Sequence, residues 1–220
     1  QKEKETTANI SHELLTPISV LRSKLENLLS QENLSDEAGA KAEEALKTLH
    51  RLKIMVNSLL LIARVESHEY LKEDNFSIGD VFQEIQEELL PLAQDKNISI
   101  VNEIKPDKKN HNANRALIFT MFYNVVNNAI KFTPEGGNIR IISQTHHEHY
   151  EILIRDDGPG MNKNQLKNLF TRFKNRPAHP QNGTGIGLAI SKSIADFHNI
   201  KIEVNSHPGK GTEFIFIFPA

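Results

Sequence analysis

The sequence predicts an α+β chain in two parts: an N-terminal helical hairpin that forms a dimeric four-helix bundle, followed by an α/β sandwich with a mixed sheet. Three observations carry that expectation. Apolar residues recur at steps of three and four from Ile10 to Ala63, the spacing of a helical face. Strand-like alternation starts only at "ISIVNEI" and is then interleaved with helical patterns. Between the two regimes lies the polar stretch "ESHEYLKEDN".

In the first part the apolar residues Ile10, Leu14, Ile18, Leu21, Leu25 and Leu28 share one face of a helix. "SQENLSDEAG" interrupts it with turn formers. Ser35, with Asp36 and Glu37 in the first turn behind it, opens a second helix as its N-cap. There Ala38, Ala42, Ala45, Leu49, Leu52, Val56, Leu59 and Ala63 keep the alternating spacing of a coiled-coil seam. Two such helices bury little alone, so a homodimer is expected to complete the bundle. The competing arrangement packs the hairpin on the chain's own second part.

The second part is expected to run as a helix from Ile78 to Ala93, the strand "ISIVNEI" and a helix from Ala113 to Lys131, followed by strands at "NIRIIS" and "YEILIRD". A helix from Ile186 to His198 and strands at "IKIEVNS" and "TEFIFIF" complete it. About three helices then cover one face of a mixed sheet. The domains are read as 1–67 for the hairpin, 68–76 for a linker and 77–220 for the sandwich.

The composition narrows the function. The 220 residues carry 26 Lys+Arg against 28 Asp+Glu, a net charge of −2, which offers no bulk basic field for nucleic acid. The absence of cysteine leaves no disulfide framework or thiolate metal site and fits a reducing compartment. No apolar run is long enough to span a bilayer, and "QKEKETT" is not a signal peptide. The chain opens without methionine in a charged helix-like run. It is read as part of a longer protein, attached to a membrane, if at all, only through segments upstream.

The first helix contains "ISHELLTPI". His12 lies about 200° around the helix from Ile10 and Leu14, on the side expected to face water. Thr16 lies one turn along that side and Glu13 is adjacent. A carboxylate that takes the proton from one imidazole nitrogen raises the nucleophilicity of the other, and Glu13 fits that role. The zinc-protease pattern H-E-x-x-H fails, because Thr16 stands where the second histidine is required. An exposed His–Glu pair is by itself usually a solvated surface feature. Pro17, however, removes a backbone hydrogen bond inside the helix, a cost of about 3 kcal/mol that a purely structural helix seldom carries.

In the second part, "NVVNNAIKF" places Asn124 and Asn128 on one helical face with Lys131 beyond, two amides and a cation suited to Mg²⁺ and phosphate. "RDDGPGM" ends a strand with Asp156, a hydrogen-bond acceptor for an amino group such as adenine N6, followed by Gly158 and Gly160 in a tight turn. "GTGIGLAIS" places Gly183, Thr184, Gly185, Gly187 and Leu188 at the start of a helix, where free N–H groups form an anion site. Between these, "LFTRFKNRPAHPQN" carries Arg172, Lys174 and Arg176, as a lid over phosphates would. Each element alone is common: paired asparagines are most often caps, and D-x-G-x-G is most often a turn. "GTGIGLA" matches neither the P-loop nor the dinucleotide fingerprint. "THHEHY", with His146, His147 and His149, could ligate a metal but reads better as a hairpin loop.

Taken in order, "SHELLTPI", "NVVNNAIKF", "DDGPG", "LFTRF" and "GTGIGLA" resemble the H-box, N-box, first glycine box, F-box and second glycine box of bacterial two-component sensor histidine kinases, over essentially the whole chain. The resemblance implies a dimerisation and histidine phosphotransfer hairpin followed by a Bergerat-type (GHKL) ATP-binding domain, the fold shared with gyrase and MutL. It implies ATP-dependent phosphorylation of His12 with Glu13 as general base, and transfer to an aspartate of a partner response regulator. Thr16 would orient water in the dephosphorylation of that partner. It further implies that Asn128 ligates Mg²⁺, that Asn124 and Lys131 face the phosphates, that Phe132 lies beside the nucleotide and that Asp156 reads adenine. The setting it implies is the cytoplasmic portion of a membrane-anchored protein.

Three residues depart from the family pattern: Leu15 stands for a usual arginine, Asp157 for a common asparagine, and Asn175 for a residue that is often basic. Two other readings compete. One is a catalytically weak nucleotide-binding scaffold. The other is an ATPase clamp of the gyrase or MutL type, which needs a transducer domain that these residues do not include.

Overall fold

The computed structural model describes residues 2–31, 34–105, 113–146, 149–171 and 185–219; for residues 2–12 and His146 the description is of the backbone alone. The chain divides into two compact units, Gln1–Glu69 and Tyr70–Ala220.

The first unit is a hairpin of α1 (Lys2–Leu29) and α2 (Asp36–Glu66). Ser35 caps α2 by accepting the Ala38 N–H on its side chain at 3.3 Å, which satisfies one of the orphan donors of the first turn. Pro17 lies inside α1; lacking an N–H, it leaves the Glu13 carbonyl without its usual i+4 donor. The apolar stripe of α1 is split. Ile18 is buried and Leu25 half-buried, whereas Leu14, Leu21 and Leu28 are 46%, 52% and 36% exposed. Likewise on α2, Ala42, Ile62 and Val65 are buried while Leu52 and Leu59 stay exposed. A two-helix hairpin covers only one side of each helix, so part of each stripe is left uncovered by the other helix of the pair.

The second unit is a five-stranded sheet in the order β1-β2-β3-β5-β4. Its strands are β1 (Ser99–Glu103), β2 (Asn138–His146), β3 (His149–Asp156), β4 (Lys201–Ser206) and β5 (Thr212–Ile217). β1 pairs parallel to β2, and the other pairs are antiparallel. Helices α3 (Ile78–Asp95), α4 (Arg115–Phe132) and α6 (Gly187–Phe197) pack on the sheet. The short α5 (Lys163–Lys167) follows β3; no helix was expected there, because five residues carry no periodic signal. Its start is fixed by a capping box between Asn162 and Gln165.

Period-2 alternation sends Ile139, Ile141, Ile152, Ile154, Phe214 and Phe216 inward. Phe122 of α4 sits at the centre, with ring centroids 4.6 Å from Phe82 of α3 and 4.9 Å from Phe216 of β5. On the opposite face Arg140 pairs with Glu103, and Arg155 with Glu213. The register places His146 opposite His149 at the end of the β2–β3 hairpin; His147 lies outside the described residues. Among the described residues there is no group of three or more potential metal ligands.

Within the stretch read as linker, Leu71 and Asp74 belong to the second unit and are bonded to its later residues. The Asn114 amide donates to the Leu71 carbonyl at 3.1 Å, and Asp74 exchanges backbone hydrogen bonds with Ala113. That bridge occupies Ala113. α4 therefore starts later than the apolar pattern suggests, behind Asn114, whose Oδ1 accepts the Leu117 N–H at 3.1 Å.

Candidate functional site

The candidate residues fall into two groups, one on each unit. In α1, Glu13 and Thr16 are exposed and Leu15 is half-buried, so a side chain that packs occupies the position next to His12. The backbone of His12 is helical.

The second unit carries Asn124, Asn128, Lys131, Phe132, Asp156, Gly158, Gly160, Gly185, Gly187 and Leu188; Arg172, Gly183 and Thr184 lie outside the described residues. Asn124 and Asn128 are half-buried on the same side of α4. Asn124 Nδ2 is buried without a hydrogen-bond partner among the described residues, a condition that normally calls for a bound polar group. The start of α6 lies against it: a β-carbon on Gly187 would stand 3.2 Å from Asn124 Oδ1. Ile186, the N-cap residue of α6, makes no side-chain cap hydrogen bond, so its side chain does not compete with an anion for the N–H groups that open the helix. Behind that contact, Ser191 Oγ donates to the Met121 carbonyl at 2.9 Å and fastens α6 to α4.

The last turn of α4 carries Lys131 and Phe132. The Lys131 ammonium lies 4.8 Å from the Phe132 ring centroid, and burial lowers its pKa. Phe132 is 49% exposed, so part of its ring is open to stacking by a planar group. Its carbonyl oxygen would stand 3.5 Å from a β-carbon on Gly158, so the end of α4 abuts the glycine turn after β3.

Asp156 closes β3, 7% exposed. Its Oδ1 accepts the Gly158 N–H at 2.8 Å and the Thr212 N–H at 3.3 Å, so both of these donors leave Oδ2 untouched. Burial raises its pKa, the two N–H donors oppose that rise, and the neighbouring charge of Asp157 adds to it. Asp157 has a bonding role of its own: Oδ2 accepts the Asn138 backbone N–H at 3.1 Å and the Asn138 amide at 2.9 Å. An acceptor is what the start of β2 requires there, and a carboxylate supplies it as well as an amide oxygen would.

Residues that the sequence reading passed over complete this corner. The Ser206 hydroxyl donates to the Gly211 carbonyl at 2.9 Å and accepts the Met161 N–H at 2.8 Å. Its one proton is thus used, so the Thr212 hydroxyl, 3.0 Å away, is the donor to it. Gly160 and Gly211 both have positive φ, and a β-carbon on either would fall 1.9 Å from a backbone oxygen, that of His207 or of Asp156 respectively. Neither position accepts a side chain without moving the Asp156 turn. The available signal was "GKGT" ahead of an alternating strand.

Comparison with known proteins agrees with this division. Residues 2–68 match the His Kinase A (phospho-acceptor) domain, and residues 113–220 match the histidine kinase-, DNA gyrase B- and HSP90-like ATPase family. The phosphate regulon sensor protein PhoR of Pseudomonas aeruginosa is 30% identical over 219 residues, covering 97% of this chain and 49% of that protein. The sensor-like histidine kinase SenX3 of Mycolicibacterium smegmatis is 30% identical over 220 residues, 98% of this chain and 57% of that protein. The chain thus spans about half the length of these relatives. Full-length ShkA, solved in complex with AMPPNP, shares the fold with a TM-score of 0.76 at 23% identity, over 98% of this chain and 45% of that one. The chain belongs to the sensor histidine kinases, whose phospho-acceptor region and histidine kinase-type ATPase region it carries in that order.

Proposed function

We propose that the chain is the catalytic core of a protein-histidine kinase (EC 2.7.13.3), which uses ATP to phosphorylate His12 and passes the phosphoryl group to an aspartate of a response regulator. The observation that carries the nucleotide half is the meeting of motifs distant in sequence, with Gly187 against Asn124 and Phe132 against Gly158. Asn124 Nδ2, without a partner among the described residues, the exposed Phe132 ring and the Asp156 carboxylate suit phosphate, the base and its amino group in turn. Asn128 would hold Mg²⁺, which supplies charge neutralisation on the phosphates when bound. Gly183, Thr184 and Gly185, with Gly187 and Leu188 at the start of α6, would contribute backbone N–H groups to the phosphates, and Arg172 would add a cation; Arg172, Gly183 and Thr184 lie outside the described residues.

In the transfer, a ring nitrogen of His12 forms a bond to the γ-phosphorus as the bond to the bridging oxygen breaks, and ADP leaves with the electron pair. Glu13 takes the proton from the other ring nitrogen. The regulator's aspartate later accepts the phosphoryl group, and Thr16 orients water for the reverse, regulator-dephosphorylating activity. The exposed halves of the α1 and α2 stripes support a homodimer. No helix among the described residues is long and apolar enough to cross a membrane. The proposed setting is the cytoplasmic portion of a membrane-anchored bacterial protein, with no nucleic acid partner.

The test is incubation of the chain with γ-labelled MgATP beside His12→Gln. Acid-labile, base-stable label that is lost in the variant is the expected result. Nucleotide binding without any label would instead support the catalytically weak scaffold, with Leu15 the first residue to examine.

A further inference from the structure

The C-terminus of α4 is held in a way that neither the motifs nor the comparisons assign. An α-helix ends with carbonyls that have no i+4 donor. Here the shortage is sharpened by Pro134, which lacks the N–H that Ile130 would otherwise use. A lysine from another helix fills it. Lys96, the C-cap residue of α3, donates from Nζ to the carbonyls of Ile130 at 2.8 Å, Lys131 at 3.0 Å and Thr133 at 2.6 Å. All three ammonium protons are thereby used on one helix end, where the macrodipole also favours a cation.

The same residue ties the following turn. The Lys96 carbonyl accepts the Gly136 N–H at 3.0 Å, and Asn97 Nδ2 donates to Glu135 at 3.2 Å. The clamped carbonyls therefore flank or belong to Lys131 and Phe132, and it is Phe132 whose carbonyl lies against the glycine turn after Asp156. On the far side, the Phe132 carbonyl already lies against Gly158, so the last turn of α4 is bounded on both sides. If the helix end moves, Lys131 and Phe132 move relative to Asp156.

We propose that Lys96 is a positioning residue for nucleotide binding, whose ammonium fixes the last turn of α4 and with it the placement of Lys131 and Phe132 against the Asp156–Gly160 turn. The proposal rests on the nucleotide reading of that site. Lys96 touches no ligand; its effect passes through the helix end.

The experiment is calorimetric titration of the whole chain with ADP, with and without Mg²⁺, for the wild type, Lys96→Met and the core variant Ile98→Val. Met keeps the aliphatic stem and removes the charge and all three donors. Lys96→Met is expected to weaken ADP binding by about tenfold while keeping its helical circular dichroism. It should also raise the KM for ATP more than it lowers the rate at saturation. Ile98→Val, which trims the same α3–β1 corner without touching the clamp, is expected to keep wild-type affinity.

Lys96→Met that binds ADP within about twofold of wild type overturns the proposal, as does an equal loss of affinity in Ile98→Val. Should Lys96→Met fail to fold, Lys96→Gln retains a donor without the charge and is expected to bind with intermediate affinity; wild-type affinity there also overturns the proposal. A wild-type chain that binds no ADP refutes the nucleotide reading itself. Equal binding by wild type and Lys96→Met refutes only the role of Lys96.

Discussion

If Asp156 reads adenine as proposed, nucleotide binding is coupled to its protonation. To accept a hydrogen bond from adenine N6 the side chain has to be ionised, yet burial holds its pKa above the ordinary carboxylate value, with Asp157 adding to the rise. Nucleotide affinity is therefore expected to fall on acidification, starting at a higher pH than an unperturbed aspartate would give. Titrations with ADP from neutral pH down into the ordinary carboxylate range, beside Asp156→Asn, check this; a wild-type acid-side loss of affinity that Asp156→Asn shares in full would show that the titrating group is not Asp156. The same shift acts on stability with the opposite sense. The folded state binds the Asp156 proton more tightly than the unfolded state does, so this contribution is present below the unfolded pKa and lost as pH rises through the folded one. The site thus holds its charged form at some expense to the fold, as buried functional carboxylates commonly do.

The helix that carries Asn124, Asn128 and Lys131 is anchored at its start by a buried histidine. His198 Nε2 accepts the Asn114 N–H at 3.0 Å, so the ring proton is on Nδ1, which donates to the Ile194 carbonyl at 2.9 Å. Lys72 lies over the Phe197 ring at 4.3 Å, and that ring meets His198 edge-on. Burial lowers the His198 pKa most, the Ile194 carbonyl opposes this, and the Lys72 charge lowers it further. Protonation would place a second donor against the Asn114 N–H. The unfolded state then binds the proton more readily, so the stability that His198 contributes is present above about pH 6.5 and is lost as pH falls from there toward the lower folded pKa. Urea denaturation at pH 7.5 and pH 5.5 should show this loss in the wild type and a smaller one in His198→Gln. Equal slopes in the two proteins would mean that the titrating group lies elsewhere. Both ends of α4 are thus held by residues from other elements, His198 at its start and Lys96 at its end.

Across the whole molecule, the hairpin leaves leucines uncovered at seven-residue spacing: Leu14, Leu21 and Leu28 on α1, and Leu52 and Leu59 on α2. That spacing suits the seam of a larger bundle, and in the proposed homodimer a second copy would supply matching stripes. Leu21→Asp, in the middle of the seam, is expected to turn a dimer into a monomer by sedimentation velocity. Because the second unit has its own core around Phe82, Phe122 and Phe216, the same variant should keep wild-type affinity for ADP. A dimer that persists in Leu21→Asp would place the contact on another face.

What the sequence determined by itself was everything encoded over a few neighbouring residues. The His12–Glu13 pair, the asparagines of α4, the Asp156 turn and the glycines ahead of α6 could be read because their spacing fixes a face or a turn. The order of helices and strands followed from periodicity, apart from α5, which is too short to have any. What only the tertiary structure decided are the contacts that cross the chain. Lys96 lies 34 to 37 residues from the carbonyls it holds, His198 lies 84 from the N–H it accepts, and Thr212 lies 56 from Asp156. A lysine after a helix, a histidine before a strand and a threonine after glycine look like ordinary surface or turn residues until folding brings their partners within hydrogen-bond range. The split of the leucine stripe is likewise set by which side of each helix the hairpin covers, a choice that a pattern continuous along the sequence does not encode.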